Sequence, residues 1–256
     1  MSNIYGHGFG SSQLSRLETL GFRIRPQVSR YMGSQICRFI DFNGGPCLEV
    51  IEVEDHQEYL DFVPQGMIPY CPGISLTLPE GSGKTIRDFE QEFRRLRPYL
   101  LHVNYDGSLA PRGPGWNYLN FGVPVVTDTF IWLTELEAPR PVREYDTAHP
   151  NTVKGVVGLV FDLEVESLNR FSHLVGEGIV TEIPRVGELH VWSKSAVDDL
   201  PNLHDKVFPL VAVVLKAESL DFFAASVGGA KEASFASRPA IHVETNRLSW
   251  DLLITT

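Results

Sequence analysis

The feature that most constrains the fold is a pattern that occurs four times along the chain. Each unit opens with a short apolar run, passes a polar break into an amphipathic helix, and closes with a second apolar run. The openings lie at 4–12, 72–84, 155–163 and 208–216. Apolar residues three and four positions apart, such as Leu14, Leu17 and Leu20, predict the helices. The sequence therefore predicts an α+β protein built from units of strand, helix and up to three strands.

The closing runs and the Pro-rich joints divide the chain. The closing runs lie at 47–54, 129–137, 187–193 and 248–255. Little sequence separates Gly176 from Gly187, so the third unit is the shortest. The proline-containing segment 137–151 is a crossing between an N-terminal half, 1–140, and a C-terminal half, 152–256. Segment 54–73 is predicted to be a second, weaker joint.

Composition excludes several classes of protein. Hydrophobic residues make up 43% of the 256 positions and charged residues 21%, which is typical of a globular chain with a core. The net charge of −10 argues against nucleic acid as a partner. No apolar run approaches the roughly 18 residues of a membrane span, and the N-terminus does not read as a secretory signal. The sparse cysteines favour the reducing cytoplasm.

Three segments resemble a known superfamily. Residues 18–27 (ETLGFRIRPQ) contain an LGF helix exit, residues 47–55 (CLEVIEVED) are similar to a closing strand, and residues 148–163 begin with a His-Pro-Asn step. With the repeated units, they resemble the vicinal oxygen chelate superfamily of glyoxalases, bleomycin resistance proteins and dioxygenases, and its glyoxalase-like branch in particular. The resemblance implies βαβββ modules that form curved mixed sheets around a cup.

The resemblance also implies a place for a site. In metal-using members, first-strand and last-strand residues of two modules hold one divalent ion, and the substrate chelates it through adjacent oxygens. Members isomerise, epimerise, cleave rings with oxygen, or sequester antibiotics. The fold therefore does not choose the chemistry.

Glu49 is the first candidate site residue. Alternate residues of a strand share a face, so Glu49 lies with Cys47 and Ile51 on an otherwise apolar face. A carboxylate on such a face needs a partner, a metal or a raised pKa. Glu49 also matches the glutamate of the family's closing strand.

The resemblance adds two further metal ligands. His7 lies in the first strand, where the family often places a ligand histidine, and Glu135 lies in the second closing strand with Ile131 and Leu133. With Glu49 they would supply the three protein ligands that a catalytic zinc, iron, nickel or manganese ion needs. Glu49 and Glu135 are also the candidate catalytic carboxylates.

The second unit contains candidate ligand-binding residues. Aromatic side chains within the glycine-containing run 113–122 could line an apolar pocket, with an arginine to meet a carboxylate. The alternative is a hairpin whose aromatic residues pack on a neighbouring element. The candidates are His102, Tyr105, Arg112, Trp116, Tyr118 and Phe121.

The C-terminal half is poor in candidate ligands. The pairs Glu188/His190 and His242/Glu244 fit ordinary solvent-facing alternation in strands. His149 precedes Pro150, which fixes the local backbone, so we expect a turn or capping residue there.

The function expected from these features is that of a glyoxalase-like lyase or isomerase. A divalent metal would polarise an oxygen of a small organic substrate while a carboxylate moves a proton. A metal-free binding protein of the antibiotic-sequestering kind is the alternative, and an extradiol-type ring-cleaving dioxygenase is the third. We expect a small-molecule partner, no nucleic acid, no membrane, and leave a homodimer open.

Overall fold

A computed structural model describes most of the chain. The described residues are 3–8, 12–31, 33–43, 45–63, 68–77, 85, 87–88, 102–105, 116–121, 129–136, 145–163, 190–194, 203, 208–228, 230–245 and 248–256. The predicted helix of the third unit lies outside them, as does most of that of the second.

The first unit is a strand, a helix and three strands. Strand β1 (Asn3–Gly8) leads into helix α1 (Ser12–Thr19), followed by β2 (Ser29–Tyr31), β3 (Gln35–Ile40) and β4 (Cys47–Val53). The opening strand β1 pairs in parallel with the closing strand β4, and β3 is antiparallel to β4. A parallel pair needs a long crossover, which α1 and the intervening strands supply.

The strands of the second unit complete the same sheet. It contains β5 (Gly73–Thr77), β6 (His102–Tyr105), β7 (Trp116–Phe121) and β8 (Phe130–Leu136), and β5 is parallel to β8. The two opening strands β1 and β5 pair antiparallel at the centre. The result is an eight-stranded mixed sheet in the order β2-β3-β4-β1-β5-β8-β7-β6.

The C-terminal half forms a second sheet in which opening strands again pair with closing strands. Its strands are β9 (Val153–Phe161), β10 (His190–Ser193), β11 (Leu210–Ala217), β12 (Lys231–Phe235), β13 (Arg238–Val243) and β14 (Asp251–Thr255). Their order is β10-β9-β11-β14-β13-β12. Both opening strands, β9 and β11, are parallel to their closing strands, β10 and β14. The opening strand therefore pairs in parallel with the closing strand in all four units.

The LGF helix exit has a physical cause. Gly21 adopts a left-handed backbone (φ +80°), and the Phe22 N–H donates to the Leu17 carbonyl over 3.0 Å while the Gly21 N–H donates to that of Glu18. These are the two hydrogen bonds of a Schellman cap. The cap needs a left-handed backbone at this position, which glycine adopts without strain. Asn151 adds a third, because its side-chain amide donates to the Leu20 carbonyl over 2.8 Å. The end of the crossing segment thus contributes to the cap of the first helix.

The two halves share one apolar core. Ile4 and Leu48 of the first sheet belong to the same buried cluster as Val213 of β11 and the fully buried Trp250 before β14. The Trp250 indole N–H donates to the Tyr5 carbonyl over 3.2 Å, and its ring occupies the place that a side chain at Gly6 would take. Gly6, within β1, therefore allows the two halves to approach closely.

The described part of segment 54–73 contains a helix. The sequence predicts a weak joint here, but the segment contains helix α2 (His56–Phe62). The Asp55 carboxylate accepts the backbone N–H groups of Gln57 and Glu58 and so caps the helix. The third helix among the described residues, α3 (Leu220–Ser226), belongs to the fourth unit and is capped by Ser219. No helix among the described residues is long and apolar enough to cross a membrane.

Candidate functional site

One face of the eight-stranded sheet gathers buried polar and aromatic side chains. The strand register places Tyr5 of β1 beside Glu49 of β4, and Glu49 beside Phe39 of β3. One position pair further along, His7 and Cys37 flank Ile51. We call this surface the N-terminal face and define it by Tyr5, His7, Cys37, Phe39 and Glu49. The predicted placement of Glu49 on an apolar face is confirmed, since Cys47 and Ile51 beside it are also buried.

His7 is the polar centre of the N-terminal face. Its side chain is 3% exposed and is surrounded by the rings of Tyr5, Tyr59 and Tyr70, with centroids 5.4 to 5.8 Å away. The Nε2 atom lies 3.1 Å from the Tyr59 hydroxyl, whereas Nδ1 is buried without a hydrogen-bond partner. Burial lowers the pKa of His7 to about 4, and the nearby backbone of Cys71 and Tyr70 offsets this only in part. His7 is therefore a neutral imidazole at pH 7.

Glu49 lies beside a thiol and a phenol. Its side chain is 7% exposed. Burial raises the pKa of the Cys37 thiol, and the charge of Glu49 together with a hydrogen bond to it raises this pKa further. The pKa of Tyr5 is raised mainly by burial, with a smaller contribution from Glu49. Cys37 and Tyr5 therefore stay protonated, and the thiol donates a hydrogen bond to the carboxylate.

The described side chains of the second unit on this face include two hydroxyls. Its opening strand brings Gly73 beside Tyr5, and the Tyr5 ring occupies the space that a Cβ at Gly73 would need. Two residues further on, the Ser75 hydroxyl bonds the buried Thr134 hydroxyl of the closing strand over 2.7 Å. Opening and closing strands thus meet through a hydrogen bond between two neutral groups.

Position 135 lies on the opposite face of β8 from the Thr134 hydroxyl. Thr134 lies on the face of Ser75, and successive residues of a strand alternate between faces. Position 135, whose backbone pairs with Asn117 of β7, therefore belongs to the opposite face with positions 131 and 133. Its side chain lies outside the described part of the structure.

The other predicted ligand-binding residues stay predictions. The backbones of β6 and β7 pair antiparallel, with His102 opposite Asn120 and Tyr105 opposite Asn117. This hairpin brings Trp116, Tyr118 and Phe121 into the sheet next to β8. The side chains of these residues are not among those described, and Arg112 lies outside the described residues altogether.

A resident metal ion does not fit the described donors. His7 and Glu49 supply two, and a catalytic divalent site needs at least three protein ligands. The described part of the chain contains no group of three histidine, cysteine, aspartate or glutamate side chains able to hold an ion. The Nε2 atom of His7 is engaged by Tyr59. The described side chains of the second unit on this face include the hydrogen-bonded hydroxyls of Ser75 and Thr134.

The corresponding face of the second sheet is packed with apolar side chains. Val160, Ala212, Val214 and Leu253 form a buried cluster there. The Trp192 ring fills the space above Gly158. Among the described residues, this face therefore consists mainly of apolar side chains, together with the buried His242 and Asp251.

His242 corrects a prediction from alternation. Alternation places it toward solvent, but it is 2% exposed and its Nε2 lies 2.9 Å from the Asp251 carboxylate. Asp251 also accepts the backbone N–H of Thr245 over 2.7 Å, so the group ties β13 to β14. Glu244 instead forms an exposed ion pair with Lys231.

The turn at His149 is confirmed. The Thr152 N–H donates to the His149 carbonyl over 3.0 Å, and the His149 Nδ1 accepts the backbone N–H of Arg23 over 3.0 Å. Burial lowers the pKa of His149 to about 4. Next to it, Asp41 accepts a bidentate hydrogen bond from Arg25 and a further one from the Tyr145 hydroxyl. These contacts attach the crossing segment to the first unit.

Sequence reasoning missed the residues that cover the N-terminal face. Tyr59 of α2 is buried against His7, and its hydroxyl accepts the Tyr70 backbone N–H over 3.1 Å. Tyr70 has a left-handed backbone (φ 63°), which is uncommon for a non-glycine residue. Its hydroxyl bonds His56 Nδ1 over 2.8 Å. The local signal available was Asp55, whose capping chemistry predicts the helix that carries Tyr59.

Comparison with known proteins identifies the fold. No family model and no curated protein match the sequence. Among solved structures, the chain is similar to a hypothetical protein from Staphylococcus aureus, with a TM-score of 0.54, 7% identity and coverage of 100% of this chain and 99% of that one. It is also similar to a catechol 2,3-dioxygenase (TM-score 0.52, 12% identity, 99% and 87% coverage). The Mn(II)-bound glyoxalase from Novosphingobium aromaticivorans gives a TM-score of 0.54 at 8% identity, with 99% and 80% coverage.

Proposed function

From the premise that this chain has the vicinal oxygen chelate fold, we propose that its N-terminal face binds a small oxygenated organic molecule without a resident metal ion. The observation that carries the proposal is that Glu49 shares a sheet face with His7, whose buried Nδ1 makes no hydrogen bond of normal geometry. Buried polar groups are normally hydrogen-bonded, so an exception calls for an unseen partner. A few convergent polar groups among aromatic side chains are typical of ligand sites.

The two polar groups would recognise different parts of the ligand. A neutral His7 would donate to a carbonyl or hydroxyl oxygen, and the Glu49 carboxylate would accept from a hydroxyl or from an acidic C–H next to the carbonyl. Tyr5 and Phe39 would pack against the apolar remainder. The same geometry serves a binding protein and, with Glu49 as the base, a metal-free proton-transfer enzyme.

A glyoxalase-like metal-dependent lyase or isomerase is the second candidate. It is favoured by the positions of His7 and Glu49, which lie in an opening and a closing strand as in metal-using members. Its further ligand would have to come from side chains that the structure does not describe. Alternation along β8 assigns position 135 to the face opposite Thr134, which argues against Glu135 as that ligand. The extradiol-type dioxygenase ranks third, because His242 and Asp251 already bond each other.

Thermal unfolding with EDTA present tests the first candidate. The probes are catechol, hydroxyacetone and pyruvate, which offer adjacent oxygens in three arrangements. A molecule that binds only the folded state at 100 times its Kd stabilises it by about 2.7 kcal/mol. We expect at least one probe to raise the Tm of the wild type and to lose that effect in both Glu49→Gln and His7→Gln.

Glu52→Gln is the matched control. Glu52 lies in the same strand as Glu49 but on the other face, so this variant should keep the full shift. A shift that appears only after EDTA is replaced by a divalent ion would favour the metal-dependent candidate. A shift that survives both site variants would place the ligand elsewhere.

A further inference from the structure

The hydroxyl of Tyr59 has a defined set of partners. It accepts the Tyr70 backbone N–H over 3.1 Å and lies 3.1 Å from His7 Nε2. A tyrosine hydroxyl has one proton to donate. Within the described residues, Nε2 is the one acceptor in reach of that proton, since the amide N–H of Tyr70 can only donate.

The alternative assignment leaves more buried groups unsatisfied. If Nε2 carried the ring proton, Tyr59 would accept twice and its own proton would have no acceptor, while the Nδ1 lone pair would also be unsatisfied. A buried polar group without a hydrogen bond is energetically costly. If Nδ1 carries the proton, Tyr59 donates to Nε2 and a single group, the Nδ1–H, lacks a hydrogen bond. The backbone of Tyr70 and Cys71 also favours a protonated ring nitrogen.

We infer that Tyr59 is a positioning residue that holds His7 as the Nδ1–H tautomer, so that His7 presents a proton donor to the N-terminal face and keeps its Nε2 lone pair from cations. The chain of hydrogen bonds from the Tyr70 N–H through Tyr59 to His7 fixes the tautomer before any ligand arrives. That His7 then meets an oxygen acceptor of the ligand rests on the proposed function, whereas the tautomer does not.

The buried His149 provides an internal reference with the opposite assignment. Its Nδ1 accepts the Arg23 N–H, so its ring proton must lie on Nε2. His7 and His149 both have a pKa of about 4 and stay neutral at about pH 5.5, where histidines of ordinary pKa are mostly protonated. The two rings can therefore be distinguished by their nitrogen spectra.

Nitrogen-15 NMR of histidine-labelled protein at this pH tests the inference without a ligand. We expect His7, identified by its absence in His7→Gln, to show a protonated Nδ1 and an unprotonated Nε2, and His149 to show the reverse. In Tyr59→Phe, His7 should lose the pure Nδ1–H pattern, because Nε2 no longer accepts a hydrogen bond from the Tyr59 hydroxyl. Tyr145→Phe removes a phenol from the Asp41 cluster and should leave the His7 signals unchanged.

Two outcomes would overturn the inference. One is a wild-type His7 with its proton on Nε2, a result that needs no variant to fold. The other is a Tyr59→Phe protein that unfolds cooperatively in urea yet keeps the pure Nδ1–H pattern. Failure of the probe-binding experiment would not change the expected NMR pattern of His7. The tautomer and the ligand are therefore tested separately.

Discussion

The glycine beneath Tyr5 gives the sharpest test of how the N-terminal face is packed. A Cβ at Gly73 would overlap the Tyr5 ring, which is 5% exposed and lies between β4 and β5. Overpacking of this kind costs about 1–3 kcal/mol. Replacing a strand glycine by alanine returns about 0.5–1 kcal/mol of backbone entropy. We therefore expect Gly73→Ala to lower the free energy of unfolding by about 1–2 kcal/mol.

Urea unfolding followed by circular dichroism measures this loss, and a double-mutant cycle assigns it. In a Tyr5→Val background the ring is gone, so Gly73→Ala should be neutral or stabilising, which gives a coupling of about 2 kcal/mol. Gly228→Ala is the control, because nothing lies within 4 Å of a Cβ there. The reasoning is refuted if Gly73→Ala costs the same in both backgrounds, or if it costs no more than Gly228→Ala.

Two further predictions concern pH and the junction between the halves. Burial lowers the folded-state pKa of His7 and of His149 from 6.5 to about 4, so the unfolded chain binds more protons between these values. The free energy of unfolding should therefore fall as the pH drops from about 6.5 to about 4, by about 1.4 kcal/mol per pH unit for each histidine. In His149→Asn, the urea midpoint should fall less steeply with decreasing pH than in the wild type. An equally steep fall would contradict the assignment. Asn151→Ala deletes two buried hydrogen bonds, to the Leu20 carbonyl and from the Val153 N–H, and should cost about 2–4 kcal/mol in urea unfolding. Exposed Asn43→Ala should cost under about 0.5 kcal/mol, and equal losses in the two variants would contradict the capping role.

Local sequence patterns were sufficient to predict the repeated units. Apolar periodicity and Gly-Pro punctuation are short-range signals, and the parallel pairing of β1 with β4 follows from the same order in every unit. The LGF exit is equally local, because the cap depends on the left-handed backbone of Gly21. The face of Glu49 followed from alternation within one strand.

The composition of the site depends on contacts that alternation cannot supply. Alternation shows which residues of β8 share a face, but not which of its two faces lies with Glu49, and that depends on a contact between strands such as Ser75–Thr134. His242 was misassigned for the same reason, because its burial depends on Asp251 in a neighbouring strand. Tyr59 meets His7 across 52 residues of sequence, through a segment for which the sequence predicts a joint.

Metal content tests the central claim, that the N-terminal face binds its ligand without a resident ion. The protein would be purified without a histidine tag or chelator, incubated with zinc, manganese or iron, desalted, and measured by elemental analysis. The account predicts well under one equivalent of each metal in the wild type and no difference between it and Glu49→Gln. About one equivalent that is lost in both His7→Gln and Glu49→Gln, and retained in Glu52→Gln, would contradict it and establish the metal-dependent candidate.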